Sequence, residues 1–289
     1  MRRFRYHLVN VFVESDAATF GGNPLCVFEN AHGMTREEMQ ALTAQFNLSE
    51  TTFILPRDGT HPQVRIFAPA FEMPFAGHPT IGTAFVANAL GLSGCTGGAA
   101  TLALNVGDIP VEYANGAWTF TANPHSSREI GLSQADTADM LGLNVRDFSG
   151  VEAGRYVDCG SEQLIVPVAS VEALARVKPN AALLSERART KQGRYAVQVV
   201  ARVASDRFQV RFFFPKDGGL TEDPGTGSAC ANLGGYLLDA GEPTPSQFTI
   251  TQGEFVNRLN VLQLSLTAEK RVRVGGRVLA LGGGEIHLS

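Results

Sequence analysis

Three side chains in this sequence stand where a chain changes direction and could move or hold a proton. Glu50 lies in Phe46-Asn-Leu-Ser-Glu-Thr-Thr-Phe53, between the end of a helical stretch and an apolar strand. A carboxyl partly withdrawn from water there can both take up and return a proton, although an ordinary surface glutamate at a loop fits the same spacing. His78, in Phe75-Ala-Gly-His-Pro-Thr80, sits where the chain turns into a helix. The positive end of that helix disfavours the imidazolium, so the residue reads as a neutral hydrogen-bonding group or an acid of lowered pKa, or else as a structural histidine. Asp223, in Thr221-Glu-Asp-Pro-Gly-Thr-Gly-Ser228, precedes a second turn of the same kind. It can be a plain turn former, but Ser228 and the N–H groups of Thr226 and Gly227 follow directly and make an anion-binding helix start beside an acid. A substrate carrying an amine and a carboxylate would satisfy that pair.

The elements that must hold these residues come as a near repeat. Arg65-Ile-Phe-Ala-Pro69 leads into Ala76-Gly-His-Pro-Thr-Ile-Gly-Thr-Ala84, and Arg211-Phe-Phe-Phe-Pro215 leads into Asp223-Pro-Gly-Thr-Gly-Ser-Ala229. The arginines lie 146 positions apart; the helix-opening pieces overlay at 145 or 148, close to half of the 289 residues. This is the trace of a duplicated unit, and two glycine-led helix starts facing one cleft would converge their free N–H groups on a carboxylate. Alternation of apolar residues predicts strands over 6–13, 52–55, 63–66, 195–201 and 208–214. Thr35-Arg-Glu-Glu38 is a capping box that opens a helix to about residue 45. Further helices are predicted over 80–90, 133–141, 170–177 and 226–238, and strand runs over 101–121 and 248–281. The 80–90 and 226–238 helices are rich in small residues on all sides, which suits burial inside a curled sheet. The expected fold class is therefore α/β (α+β), with two pseudo-symmetric halves over 1–125 and 126–289, each a mostly antiparallel sheet around a central helix. The boundary is expected between 126 and 154.

Composition narrows the function. An apolar fraction of 44% with 18% charged residues and a net charge of -4 describes a globular, enzyme-like chain. No basic run grips nucleic acid, and no stretch approaches the roughly 20 apolar residues that cross a bilayer. The apolar start is short and broken by Asn10, Glu14 and Asp16, so a cytoplasmic protein is expected. The four cysteines are unpatterned and read as free thiols; no histidine or cysteine spacing builds a metal site, and Gly282-Gly-Gly284 lacks the frame of a nucleotide loop.

Gly22-Asn-Pro-Leu-Cys-Val-Phe28, Asn47-Leu-Ser-Glu-Thr51, Pro74-Phe-Ala-Gly-His-Pro-Thr-Ile-Gly-Thr-Ala84 and Glu222-Asp-Pro-Gly-Thr-Gly-Ser-Ala229 together resemble the phenazine biosynthesis PhzF family, in order and spacing from Val9 to Gln252. The resemblance implies a diaminopimelate epimerase-like fold, a cofactor-free active site and a homodimer. The family's namesake isomerises trans-2,3-dihydro-3-hydroxyanthranilate. By motif, Glu50 is similar to its general acid/base, and His78 and Asp223 are similar to the groups that orient the substrate. Ser228, Thr226 and the backbone of Gly77 and Gly227 are similar to its substrate contacts. Met73 and the segment Gln252-Gly-Glu-Phe-Val-Asn-Arg258 depart from the family pattern and leave the substrate open. Two alternatives stand beside the isomerase: an epimerase or racemase of the same fold, and a ligand-binding member without turnover. Related racemases use paired thiols at the helix starts, where the sequence overlay puts Ala76 and Pro224.

Overall fold

The structure is a computed structural model that describes residues 1–57, 61–216 and 218–289. It divides into two compact units, Met1–Thr121 with Gly275–Ser289, and Ala122–Val274. The first unit runs β1 (Arg2–Val13), β2 (Asn23–Phe28), α1 (Arg36–Phe46), β3 (Glu50–Leu55), β4 (Gln63–Phe67), β5 (Glu72–Met73), α2 (Gly77–Ala89), β6 (Cys95–Thr96), β7 (Ala99–Leu104), β8 (Gly107–Ala114) and β9 (Ala117–Thr121). The second runs β10 (Ser126–Glu129), α3 (Gln134–Leu141), β11 (Arg155–Asp158), β12 (Gln163–Val168), α4 (Val171–Arg176), α5 (Ala181–Arg187), β13 (Val197–Ala204), β14 (Arg207–Lys216), β15 (Gly219–Asp223), α6 (Gly227–Asp239), β16 (Ser246–Gln252) and β17 (Asn260–Leu266). A last strand, β18 (Val272–Leu288), starts in the second unit and ends in the first. The divide thus falls after Thr121, outside the 126–154 window, and residues 275–289 lie with the N-terminal unit rather than the C-terminal one. The reason is pairing: Val278 to Leu288 run antiparallel to β1.

The topology of one unit repeats in the other. β2 pairs parallel with β3, which pairs antiparallel with β4, which pairs with β5 and, in parallel, with β7. β12, β13, β14, β15 and β16 repeat that pattern of directions in the second unit. Each hairpin is clamped by the same ion pair. Arg65 grips Glu72 through two bonds of 2.7 and 2.6 Å, seven residues on; Arg211 grips Glu222 at 3.1 and 2.7 Å, eleven residues on. Those four extra residues in the second hairpin move the register from 146 in the strands to 150 in the helices, since α2 starts at Gly77 and α6 at Gly227. The two central helices are therefore equivalent at a spacing of 150, not at the 145 or 148 at which their sequences overlay. Gly82, matched to Gly227 by sequence, lies inside α2, where a Cβ would stand 2.6 Å from Leu25 and 2.9 Å from Val11 and so only glycine fits.

Alternation along the strands gives each sheet two covered faces. In the first unit Phe28, Phe53 and Phe67 turn to α1, where Phe28 and Phe53 stack at 4.9 Å and Met39 and Leu42 close the cluster. The opposite face carries Thr52, whose hydroxyl meets Thr83 of α2 at 2.8 Å. In the second unit Leu164, Val166, Val197, Val199 and Phe213 pack with α3, α4 and α5. Both central helices are buried around most of their circumference, α2 against β1, β2, β3, β6, β7, β8 and β9 and α6 against β10, β11, β12 and β17. Among the described residues no helix is long and apolar enough to cross a membrane.

Candidate active site

Helices that need only stability cap their own first turn. Thr35, Ser133, Ser170 and Asn180 do so for α1, α3, α4 and α5. The two central helices do not: their N-cap residues, Ala76 and Thr226, make no side-chain cap bond. Helix geometry leaves the first N–H groups of each without an intrahelical acceptor, so both starts carry donors and positive potential that a bound anion can use.

In the first unit the α2 start meets Glu50. Asn47 ends α1 in the left-handed conformation (φ 51°), and three residues later the chain enters β3. Glu50 shares the parity of Thr52, so it faces α2, and its side chain is 16% exposed. Its Oε2 lies 3.4 Å from Nε2 of His78, which is the second residue of α2 and is itself 4% exposed. Burial pushes the His78 pKa down to about 3, with a hydrogen bond to the Pro24 backbone working weakly the other way. A proline backbone only accepts, so one ring nitrogen carries a proton toward Pro24. Nε2 has no hydrogen-bond partner among the described residues, which leaves Nδ1 for Pro24 and an Nε2 lone pair turned to Glu50. Gly77, directly before His78, is buried at the first position of α2. The place equivalent to Glu50 in the second unit, by the strand register of 146, is Ala196; the carboxyl exists in one copy only.

In the second unit Asp223 ends β15, and a web of bonds holds it. The Thr226 hydroxyl donates to Asp223 Oδ2, and Gln252 Nε2 donates to the Asp223 carbonyl at 2.8 Å and to Thr226 Oγ1 at 2.9 Å. Gln252 Oε1 in turn accepts the Thr226 N–H at 3.1 Å. That N–H was expected to meet a ligand; it is spent on Gln252, so Thr226 braces Asp223 instead. Gly225 cannot carry a side chain, because a Cβ would fall 2.2 Å from Oδ1 of Asn260. Gly227 and Ser228 are the first two residues of α6, and Ser228 occupies the place of His78. Gln163 Nε2 lies 3.0 Å from the Ser228 hydroxyl. Gln163, Gln252 and Asn232 escaped the sequence reading. Gln163 had a signal, as the lone polar residue opening the run Leu164-Ile-Val166, and Gln252 stood in a segment noted only for departing from a pattern.

The thiols take no part in this arrangement. All four cysteines are free and buried. Burial raises Cys159 to about 12 and Cys230, in the first turn of α6, higher still. With Ala76 and Thr226 at the structurally equivalent N-caps, neither helix start offers a thiolate. Among the described residues no group of three or more His, Cys, Asp or Glu side chains could hold a metal ion.

Comparison with known proteins fits this architecture. The sequence model of the phenazine biosynthesis-like proteins, PhzC-PhzF, matches residues 9–283. An isomerase of Pasteurella multocida without an assigned reaction is 37% identical over 99% of this chain and 94% of its own. Trans-2,3-dihydro-3-hydroxyanthranilate isomerase of Pseudomonas fluorescens is 32% identical over 92% of this chain and 94% of its own. The crystal structure of a PhzF-family phenazine biosynthesis protein from Bacillus anthracis superposes with a TM-score of 0.86 over the full length of both chains, at 22% identity, and so shares the fold.

Proposed function

The chain belongs to the PhzC-PhzF family of phenazine biosynthesis-like proteins and is an isomerase, and from that premise we propose that Glu50 is its general acid/base, acting on a small, carboxylate-bearing cyclic metabolite. The observation that carries the reading is the meeting of Glu50 with a neutral, deeply buried His78 at 3.4 Å. In the proposed reaction the Glu50 carboxylate removes a proton from a ring carbon, and the electron pair of the broken C–H bond moves into the adjoining double bonds. The resulting Glu50 acid is held by the Nε2 lone pair of His78, which is too weak a base to keep the proton. Glu50 then returns it to a second ring carbon, so that one C–H bond is broken, one is formed, and no electron leaves the substrate. A positioned acid/base contributes roughly 10²- to 10⁴-fold, and orientation supplies more.

The uncapped helix starts support the substrate class. Within each unit the backbone N–H groups at the helix start, at Gly77 in the first and at Gly227 beside the Ser228 hydroxyl in the second, suit a carboxylate, and Asp223, held by Thr226 and Gln252, suits an amine. Trans-2,3-dihydro-3-hydroxyanthranilate, the compound for which the Pseudomonas relative is named, carries both groups and is the first substrate to assay. Wild-type protein is expected to isomerise this compound or a close cyclic amino acid, and Glu50→Gln to lose at least about 100-fold in kcat with its melting temperature kept. Full activity in the variant overturns the assignment. Family membership also supports a cytoplasmic homodimer, which sedimentation equilibrium reads as twice 30.9 kDa.

A further inference from the structure

A chain of buried amides runs beneath the α6 start, and its direction is fixed by backbone groups that cannot be reversed. The N–H of Cys159 lies 2.8 Å from one side-chain atom of Asn232; since an N–H only donates, that atom is Oδ1. Nδ2 of Asn232 is then the atom that meets the Ser161 carbonyl at 2.8 Å and Gln163 at 2.9 Å. Gln163 must accept there through Oε1, which turns its Nε2 toward Ser228 Oγ at 3.0 Å. Asn232 is fully buried and Gln163 is 4% exposed, so neither amide is free to flip against water. Every link therefore points one way, from two backbone anchors to one hydroxyl.

The consequence falls on Ser228. One of its lone pairs is taken by Gln163, and the N–H groups of the first turn of α6 lie beside it, so its own hydrogen has to swing away from these donors. We infer that Gln163, locked by Asn232, is a positioning residue that commits the Ser228 hydroxyl to donate, and so makes the α6 start select a hydrogen-bond acceptor such as a carboxylate oxygen. The inference rests on reading Ser228 as a substrate contact. Its counterpart is instructive: at the equivalent place in the first unit, the Pro24 carbonyl takes the ring N–H of His78 and leaves an acceptor exposed to Glu50. The duplicated helices thus present opposite polarity at the same position, a donor on one and an acceptor on the other.

A thiol placed at the site reads the relay without any substrate. In Ser228→Cys protein the new thiol is expected to titrate below the usual value of about 8.5, because the Gln163 amide and the helix start both favour the thiolate. The rate of iodoacetamide alkylation is followed against pH, with the modified peptide identified by mass spectrometry; the four native cysteines are buried. Adding Gln163→Met removes the donor and is expected to slow alkylation at pH 7 by about tenfold, a shift of about one pKa unit. Gln163→Glu, which turns an acceptor to the thiol, slows it further. Gln163→Leu repeats the deletion if the methionine variant does not melt as a folded protein. Alkylation that is unchanged or faster without the Gln163 amide overturns the inference. Such a failure speaks against the relay alone, since the isomerase reading is decided separately by Glu50→Gln.

Discussion

A histidine as buried as His78 gives up its charge, and that has a measurable cost in acid. Its pKa is about 3 in the fold and about 6.5 in an unfolded chain. Above pH 6.5 both states are neutral and nothing is lost. As pH falls from 6.5 toward 3 the unfolded chain binds a proton that the folded one refuses, so stability drops by up to about 1.4 kcal/mol per pH unit. Urea unfolding of wild type and His78→Gln at pH 7 and pH 5 is expected to show an extra loss of about 2 kcal/mol in the wild type between the two pH values, absent from the variant. In the folded protein the ring resonances of His78 should not titrate between pH 5 and 8. A residue read from a motif is easier to place than to understand: Gly-His-Pro marked a helix start and a neutral ring, but the burial that sets the neutrality, against the opposing pull of the Pro24 carbonyl, is displayed by no spacing. Gln163 shows the limit more sharply, since a glutamine at the head of an apolar strand gives no hint of the asparagine 69 residues on that turns it.

Secondary-structure elements repeat more faithfully than the residues on them. Strand directions and both Arg–Glu clamps recur between the units, and the paired Arg-x-Phe-x-Pro pieces made that legible. The register of the helices was not, because the extra length lies in the hairpin after Arg211 rather than in either matched motif. The side chains of the Arg211–Glu222 pair are only 11% and 8% exposed, whereas Arg202–Glu242, of similar geometry, stands at 41% and 17%. Arg211 also holds the carbonyls of Leu174 and Val177, at the end of α4. Arg211→Met leaves Glu222 charged without its partner and is expected to cost about 3–5 kcal/mol by urea unfolding, against about 0–1 kcal/mol for Arg202→Met. Equal losses in the two variants would mean that the clamp contributes no more than a surface pair. The same loss of the clamp is expected to loosen Asp223, the residue after Glu222.

For the whole chain, the duplication and the central helices were open to sequence reasoning, but the discontinuity of the first unit was not. β18 passes from one unit to the other with no turn to mark the crossing; Gly275 and Gly276 stand there because a Cβ would fall 2.2 Å from Thr119 and 2.5 Å from Phe12. A fragment of residues 122–274 contains its own core and is expected to unfold cooperatively by circular dichroism. A fragment of residues 1–121 keeps β2 but lacks β18, the other strand paired with β1, and is expected to be digested rapidly by protease; resistance to protease would show that β18 is dispensable. On the proposed reading, the activity of the intact protein rests on Glu50. In heavy water, wild-type protein should place one deuteron on the accepting carbon of trans-2,3-dihydro-3-hydroxyanthranilate or a close cyclic amino acid, seen by proton NMR, while Glu50→Gln, folded and still binding the compound, should place none. Deuterium entering at the wild-type rate in that variant would contradict the account.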